Sequence, residues 1–285
     1  MSLTNLSQIT SLSPSHFTDT PPVYDISQLE KQFDNLGCIG GGGEGVVYWI
    51  KEKTNEQEYA LKILCNNIRI SPDNQKVAKI ISEILNDGIS PHLTKICSLM
   101  SVKCLLGDIH NPKEPTKFLS KNIGLEKKPF PRRAYLMEKL DGDLASVWKK
   151  LSQNQELALT IQIASIQFIL TEKNVISMES GKYRNILIKK LDVNDVFRGQ
   201  VLQNFDFWKY VFGKYSFYLP KPEYLIKLGD YDPWSIAQKP IKQSPPAECL
   251  QPYLSYEYKD LSLEDIAEKF KKPTDPHAQI IEIYP

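Results

Sequence analysis

The chain has 285 residues, with 35 Lys plus Arg against 34 Asp plus Glu and a formal net charge of +1. So even a balance gives no global field for nucleic acid or an anionic membrane, and 41% apolar and 10% aromatic residues exclude wholesale disorder. No run of about 20 apolar residues occurs, no basic start leads into an apolar block, and the five cysteines and four histidines form no zinc pattern. The expected state is reduced thiols in a cytoplasmic compartment.

Residues 1–24, rich in Ser, Thr and Pro, predict a flexible tail. Order is expected from the stretch Tyr24–Phe33 onward. Gly45–Ile50 is β-branched and aromatic, and Glu58–Leu64 alternates polar with apolar, so both read as strands around a polar hairpin turn. Val77, Ile80, Ile81, Ile84 and Leu85 form one helical stripe, ended by Asn86-Asp87-Gly88. Arg133–Glu138 predicts a strand and Lys139–Asp143 a linker. Helices are predicted at Leu144–Leu151 and Leu157–Glu172. The second includes a largely apolar run, Leu157–Leu170, that carries Gln162 and Gln167 and reads as buried.

Further on, Asn185–Lys189 and Tyr224–Leu228 read as strands. Trp208–Leu219 reads as a hairpin turning at Gly213-Lys214. Proline-bearing loops fill 233–252, and Leu263–Phe270 predicts a last helix. Strands thus dominate the first half and helices the second, which predicts an α+β chain with a small sheet domain joined to a helical one. Lys149-Lys150 and Lys189-Lys190 read as solvated surface, and the tryptophans as packing residues.

Chemistry concentrates first in Gly40, Gly42, Gly45 and Val47, a G-x-G-x-x-G-x-V pattern between two strand signals. Glycines there let backbone N–H groups approach phosphate oxygens, although alone they also fit a plain turn. Lys62 follows on the next strand, where it reads either as a phosphate ligand or as a surface lysine alternating with Leu61 and Ile63. Glu83 reads as its partner or as a helical pair with Lys79.

The order of glycine loop, Ala60-Leu61-Lys62, helix Glu83 and then Leu136–Leu144 resembles a eukaryotic-type protein kinase. Over roughly residues 30–265 the resemblance implies a bilobal fold: a small β-rich lobe at 25–138 and a shortened α-helical lobe at 139–285. It implies ATP as ligand, with Mg²⁺ or possibly Mn²⁺. Ile39, Gly40, Gly42, Gly45, Val47 and Ala60 would line the nucleotide, Met137 would be the gatekeeper, and Glu138–Leu140 the adenine-binding hinge. Asn185 and Asp230, the latter in Gly229-Asp230-Tyr231-Asp232, match the metal-binding positions. Pro246-Ala247-Glu248 resembles the Ala-Pro-Glu region, and Asp260 the acid anchoring the next large helix. The tract between Asn185 and Asp230, with a hairpin insert at about 200–222, is similar to haspin and related viral kinases. Asp206, in a second Asp-Phe pattern, reads as a plain loop acid.

Two departures matter. The position of the catalytic Asp is Ser180, a very weak base, and Glu179 would replace it only if the loop accommodated one more residue. General-base positioning contributes roughly 10²- to 10⁴-fold, so nucleotide binding with weak or absent transfer is expected. Either a Ser/Thr-type kinase or a pseudokinase fits. Only 37 residues follow Glu248, which predicts exposed apolar surface on a shortened lobe. A protein substrate or a regulatory partner is therefore expected, with possible association through that lobe, and neither nucleic acid nor membrane. The expected location is cytoplasmic, in a host cell if the protein is viral or an effector.

Overall fold

The computed structural model describes residues 23–41, 45–64, 90–92, 94, 96–104, 130–172, 175–177, 186–229, 236–238 and 260–283. They fall into two compact units. One holds the described residues up to 64 together with 96–139, the other residues 90–94 together with 140–283.

The first unit is a six-stranded sheet with a short helix. Its elements are β1 Val23–Asp25, α1 Ile26–Gln32, β2 Phe33–Gly41, β3 Gly45–Glu52, β4 Glu58–Leu64, β5 Ile96–Cys104 and β6 Phe130–Glu138. Their order across the sheet is β1-β5-β6-β4-β3-β2. All neighbours are antiparallel except β1 and β5. The turn between β3 and β4 closes as the polar run predicts. Asn55 Oδ1 accepts from the Gln57 amide at 2.9 Å, Asn55 Nδ2 donates to Glu52 at 2.9 Å, and Glu56 takes a left-handed φ of 61°. Alternation along each strand puts Val46, Tyr48, Ile50, Leu61, Ile63, Met100, Val102, Ala134 and Leu136 into one core with Leu29 and Phe33.

The second unit opens with β7 Gly142–Asp143, α2 Leu144–Trp148 and α3 Gln153–Glu172. Asp143 starts α2 by accepting from the Ser146 amide at 2.8 Å. The long helix α3 is apolar on nearly every side because it lies between two cores. Leu157, Ile161 and Ala164 pack on a hairpin sheet. Leu159, Ile163, Ile166 and Leu170 pack on a second sheet. The hairpin sheet joins β12 Phe207–Phe212, β13 Tyr215–Pro220 and, parallel to β12, β16 Ile280–Ile283. Its turn is at Gly213, with φ 57°, where the sequence places it. The second sheet has the order β14-β9-β7, with β9 Ile186–Lys190 and β14 Tyr224–Leu228.

The rest of the unit comprises β8 Val175–Ser177, β10 Val196–Phe197, β11 Gln200–Val201, a 3-10 turn at Leu202–Asn204, β15 Ile236–Gln238 and α4 Leu263–Lys269. Two expectations change here. The sequence predicts mostly helices in the second half, but its described residues hold three helices and ten short strands. The insert pairs as the hairpin its sequence predicts, β12 with β13. Asp260 is exposed in a turn, and Ser262, whose hydroxyl accepts from the Asp265 amide at 3.1 Å, caps the seven-residue α4. Among the described residues no helix is long and apolar enough to cross a membrane.

Candidate nucleotide site

Because β3, β4 and β6 send alternate residues into the core, the intervening residues share the opposite face of the sheet. Register aligns them in two rows. Val47 is opposite Lys62, which is opposite Tyr135, and Trp49 is opposite Ala60, which is opposite Met137. Gly40 extends the first row, paired with Val47. A Cβ added there would sit 3.8 Å from the Val47 Cβ, so position 40 belongs to the same face. The structure therefore brings Gly40, Val47, Ala60, Lys62 and Met137 together on one surface. Lys62 and Val47 are half-buried, while Ala60 and Met137 are buried. Ile39 lies in the irregular stretch between Cys38 and Gly40 and is 49% exposed.

Gly45 has a packing reason to be glycine. An added Cβ would lie 2.5 Å from the Ile63 carbonyl oxygen, so β3 can approach β4 this closely only without a side chain. Glu138 ends β6 opposite Tyr59, and Leu140 is buried in the second unit. The sequence reading missed Trp49, taken as simple packing. The Lys139 ammonium lies 4.9 Å from the centre of its ring, directly after β6. The missed signal was its two-residue offset from Val47, which in a strand means the same face.

Gly42, Glu83, Glu179, Ser180, Asn185 and Asp230 lie outside the described residues, as does Pro246-Ala247-Glu248. Strands next to Asn185 and Asp230 in the sequence are described. Ile186, one residue after Asn185, is opposite Leu228, two residues before Asp230. Ser177 is opposite Ile236. The described strands that flank positions 185 and 230 in the sequence are thus paired with one another in the second unit.

Among the described strands β14 lies at the edge of its sheet, and borrowed groups close that edge. Gln162, fully buried on α3, accepts from the Ile226 amide at 3.0 Å and donates to the Tyr224 carbonyl at 3.2 Å. Further along, the Leu228 amide donates to His92 O at 2.8 Å, and Thr94 N donates to Leu228 O at 3.2 Å. The His92 ring bonds Ile226 O through Nδ1 at 2.8 Å and the Tyr210 hydroxyl through Nε2 at 2.9 Å. A carbonyl only accepts, so Nδ1 carries the proton and Nε2 accepts from Tyr210. Burial holds the His92 pKa down at about 3, and Lys227 adds to the effect. The sequence had treated His92 only as one of four scattered histidines.

Asp206, expected as a plain loop acid, has a structural role. Its Oδ2 accepts from the Gln279 amide at 2.9 Å, and its own amide donates to Gln279 O at 2.9 Å, fastening the approach to β16 onto β12. Lys189, expected as solvated surface, instead pairs with Asp195 and is partly buried, whereas Lys149, Lys150 and Lys190 are exposed. A surface cavity of about 450 Å³ in the second unit, walled by Leu151, Ala158, Tyr218, Pro222, Tyr224 and Phe270, involves none of the predicted site residues. No group of three or more His, Cys, Asp or Glu suited to a metal occurs among the described residues.

No family model matches the sequence, and no curated protein does. Solved structures do match. One is the BubR1 kinase domain, at 18% identity and a TM-score of 0.42, over 75% of this chain and 49% of that one. The chain thus spans about half the length of that structure. A likeness at this level assigns neither fold nor activity to the chain.

Proposed function

We propose that this chain is an ATP-binding protein with a protein-kinase-like fold. One observation carries the reading: strand register collects Gly40, Val47, Ala60, Lys62 and Met137 on a single sheet face, opposite the one that packs with Leu29 and Phe33. Five separate sequence positions, chosen for their motif, share that surface. The donor set fits the ligand. Val47, Ala60 and Met137 are apolar side chains of the kind that would contact a purine, and the Lys62 ammonium suits phosphate oxygens. Backbone groups of Glu138–Leu140 would hold the adenine edge.

Asn185 and Asp230 would hold Mg²⁺ or Mn²⁺, whose chemistry when bound is to neutralise charge on the phosphates. The pairing of Ile186 with Leu228 supports their delivery by neighbouring strands. The residue expected to orient a substrate hydroxyl is Ser180, which at neutral pH cannot act as a carboxylate does. That observation favours a pseudokinase, a nucleotide-binding scaffold or regulator, over an efficient Ser/Thr kinase. Transfer to a protein hydroxyl would need Glu179 in the place of the missing Asp.

The test is radiolabelled ATP with Mg²⁺ or Mn²⁺, together with nucleotide-dependent thermal stabilisation, on wild type, Lys62→Met, Glu179→Ala and Asp230→Ala. The expected result is stabilisation of wild type that Lys62→Met abolishes, with little label transferred. Transfer lost in Lys62→Met and Asp230→Ala, and reduced in Glu179→Ala, would make the chain an enzyme. Wild type with no nucleotide response at all would overturn the proposal.

A further inference from the structure

The insert hairpin reaches the strand that leads to Asp230 through one buried chain of hydrogen bonds. Tyr210, on β12, donates its hydroxyl proton to His92 Nε2, and His92 Nδ1 donates to the Ile226 carbonyl of β14. Both side chains are fully buried. The His92 ring stacks on Tyr210, with centroids 5.6 Å apart and planes at 27°, and Trp208 closes a second side at 6.5 Å. The backbone of the same segment then pairs with Leu228, two residues before Asp230.

The geometry assigns Tyr210 and His92 a role as positioning residues: through Ile226 and Leu228 they fix the end of β14, two residues before Asp230 in the sequence. This inference rests on the proposed metal-binding role of Asp230. It makes the hairpin a working part of that site instead of an appendage. Without the Tyr210 hydroxyl, Nε2 becomes a buried acceptor with no donor, and flipping the tautomer would strip Ile226 O of its proton. The ring then has no arrangement that satisfies both ends, so the disturbance falls on β14.

The experiment compares wild type with Tyr210→Phe, His92→Asn and, as a control, Tyr215→Phe. The control removes a hydroxyl from the same hairpin, one bonded to Glu264 and outside the chain. Two quantities are read on the full-length protein: amide hydrogen exchange of the peptide 224–229 against the neighbouring strand 186–190, and ATP affinity with and without Mg²⁺. Tyr210→Phe is expected to speed exchange in 224–229 roughly tenfold, more than in 186–190. It should also cut most of the affinity gained from Mg²⁺, about tenfold, with metal-free ATP binding unchanged. His92→Asn, which keeps a donor for Ile226 O but loses the link to Tyr210, should reproduce both effects. Tyr215→Phe should show neither.

Exchange unchanged in Tyr210→Phe, or raised evenly across both strands, would overturn the inference. A wild-type Mg²⁺ gain kept in full while 224–229 loosens would do so too. Wild type binding no ATP would instead bring down the proposed function and, with it, any positioning of a metal ligand. The exchange arm would then show only whether the hydrogen-bond chain holds β14.

Discussion

His92 illustrates how burial can reverse a residue's usual chemistry. Its ring is held neutral, with a pKa lowered from 6.5 to about 3 by desolvation. In the unfolded chain the same ring takes a proton as pH drops below 6.5, while the folded ring does not until about pH 3. Its stabilising contribution is therefore complete above pH 6.5 and is lost as pH falls from there toward 3, at about 1.4 kcal/mol per pH unit. The charged and titratable groups around it are Lys227 and Tyr210, whose own hydroxyl is pushed well above its ordinary pKa by burial. Urea unfolding at pH 7 and pH 4.5 should show His92→Asn losing about 2–3 kcal/mol less than wild type across that interval. Gly45 makes the opposite point about motif glycines. Gly45→Ala should destabilise the protein by about 1–3 kcal/mol in a thermal or urea melt with no nucleotide present, because the added carbon meets the Ile63 carbonyl.

Among the elements, α3 and β14 explain each other. A helix between two cores has few positions for polar groups, yet Gln162 is wholly buried. Its amide acts as a peptide would, closing the edge of β14 at Tyr224 and Ile226. Gln162→Leu keeps the volume and leaves two backbone groups without partners, so it should cost about 2–4 kcal/mol by urea titration. Gln162→Glu should also fail, since it retains an acceptor for the Ile226 amide but loses the donor to Tyr224 O. The sequence marks Gln162 only as a break in an apolar run; that it fills a strand edge depends on a segment 62 residues away.

For the molecule as a whole, the residues near the end of the chain complete a core built from its middle. Ile281 and Ile283 are buried on β16 against the hairpin, next to Trp208 and Tyr210, and Glu282 pairs with Lys209. Removing residues 279–285 should lower stability by about 3–6 kcal/mol in a denaturant melt, from burial of the two isoleucines alone. The edge of β12 that β16 now covers would also be left open, so faster self-association is expected by light scattering.

The sequence by itself determined the local elements. The hairpin at Gly213 and the strands Glu58–Leu64 and Tyr224–Leu228 follow from local alternation and a turn residue, and the buried helix around Leu157–Leu170 from a continuous apolar run, all of which neighbours in the chain suffice to set. The same alternation, with register, explains why Val47, Ala60, Lys62 and Met137 share a face. Tertiary structure alone decided which elements meet. That β16 returns to lie beside β12, that β14 borrows Gln162 and the 90–94 segment, and that Trp49 carries Lys139 on its ring are all contacts between distant residues. Such contacts are selected by the need to satisfy buried polar groups and apolar faces in three dimensions, and no local pattern records that need.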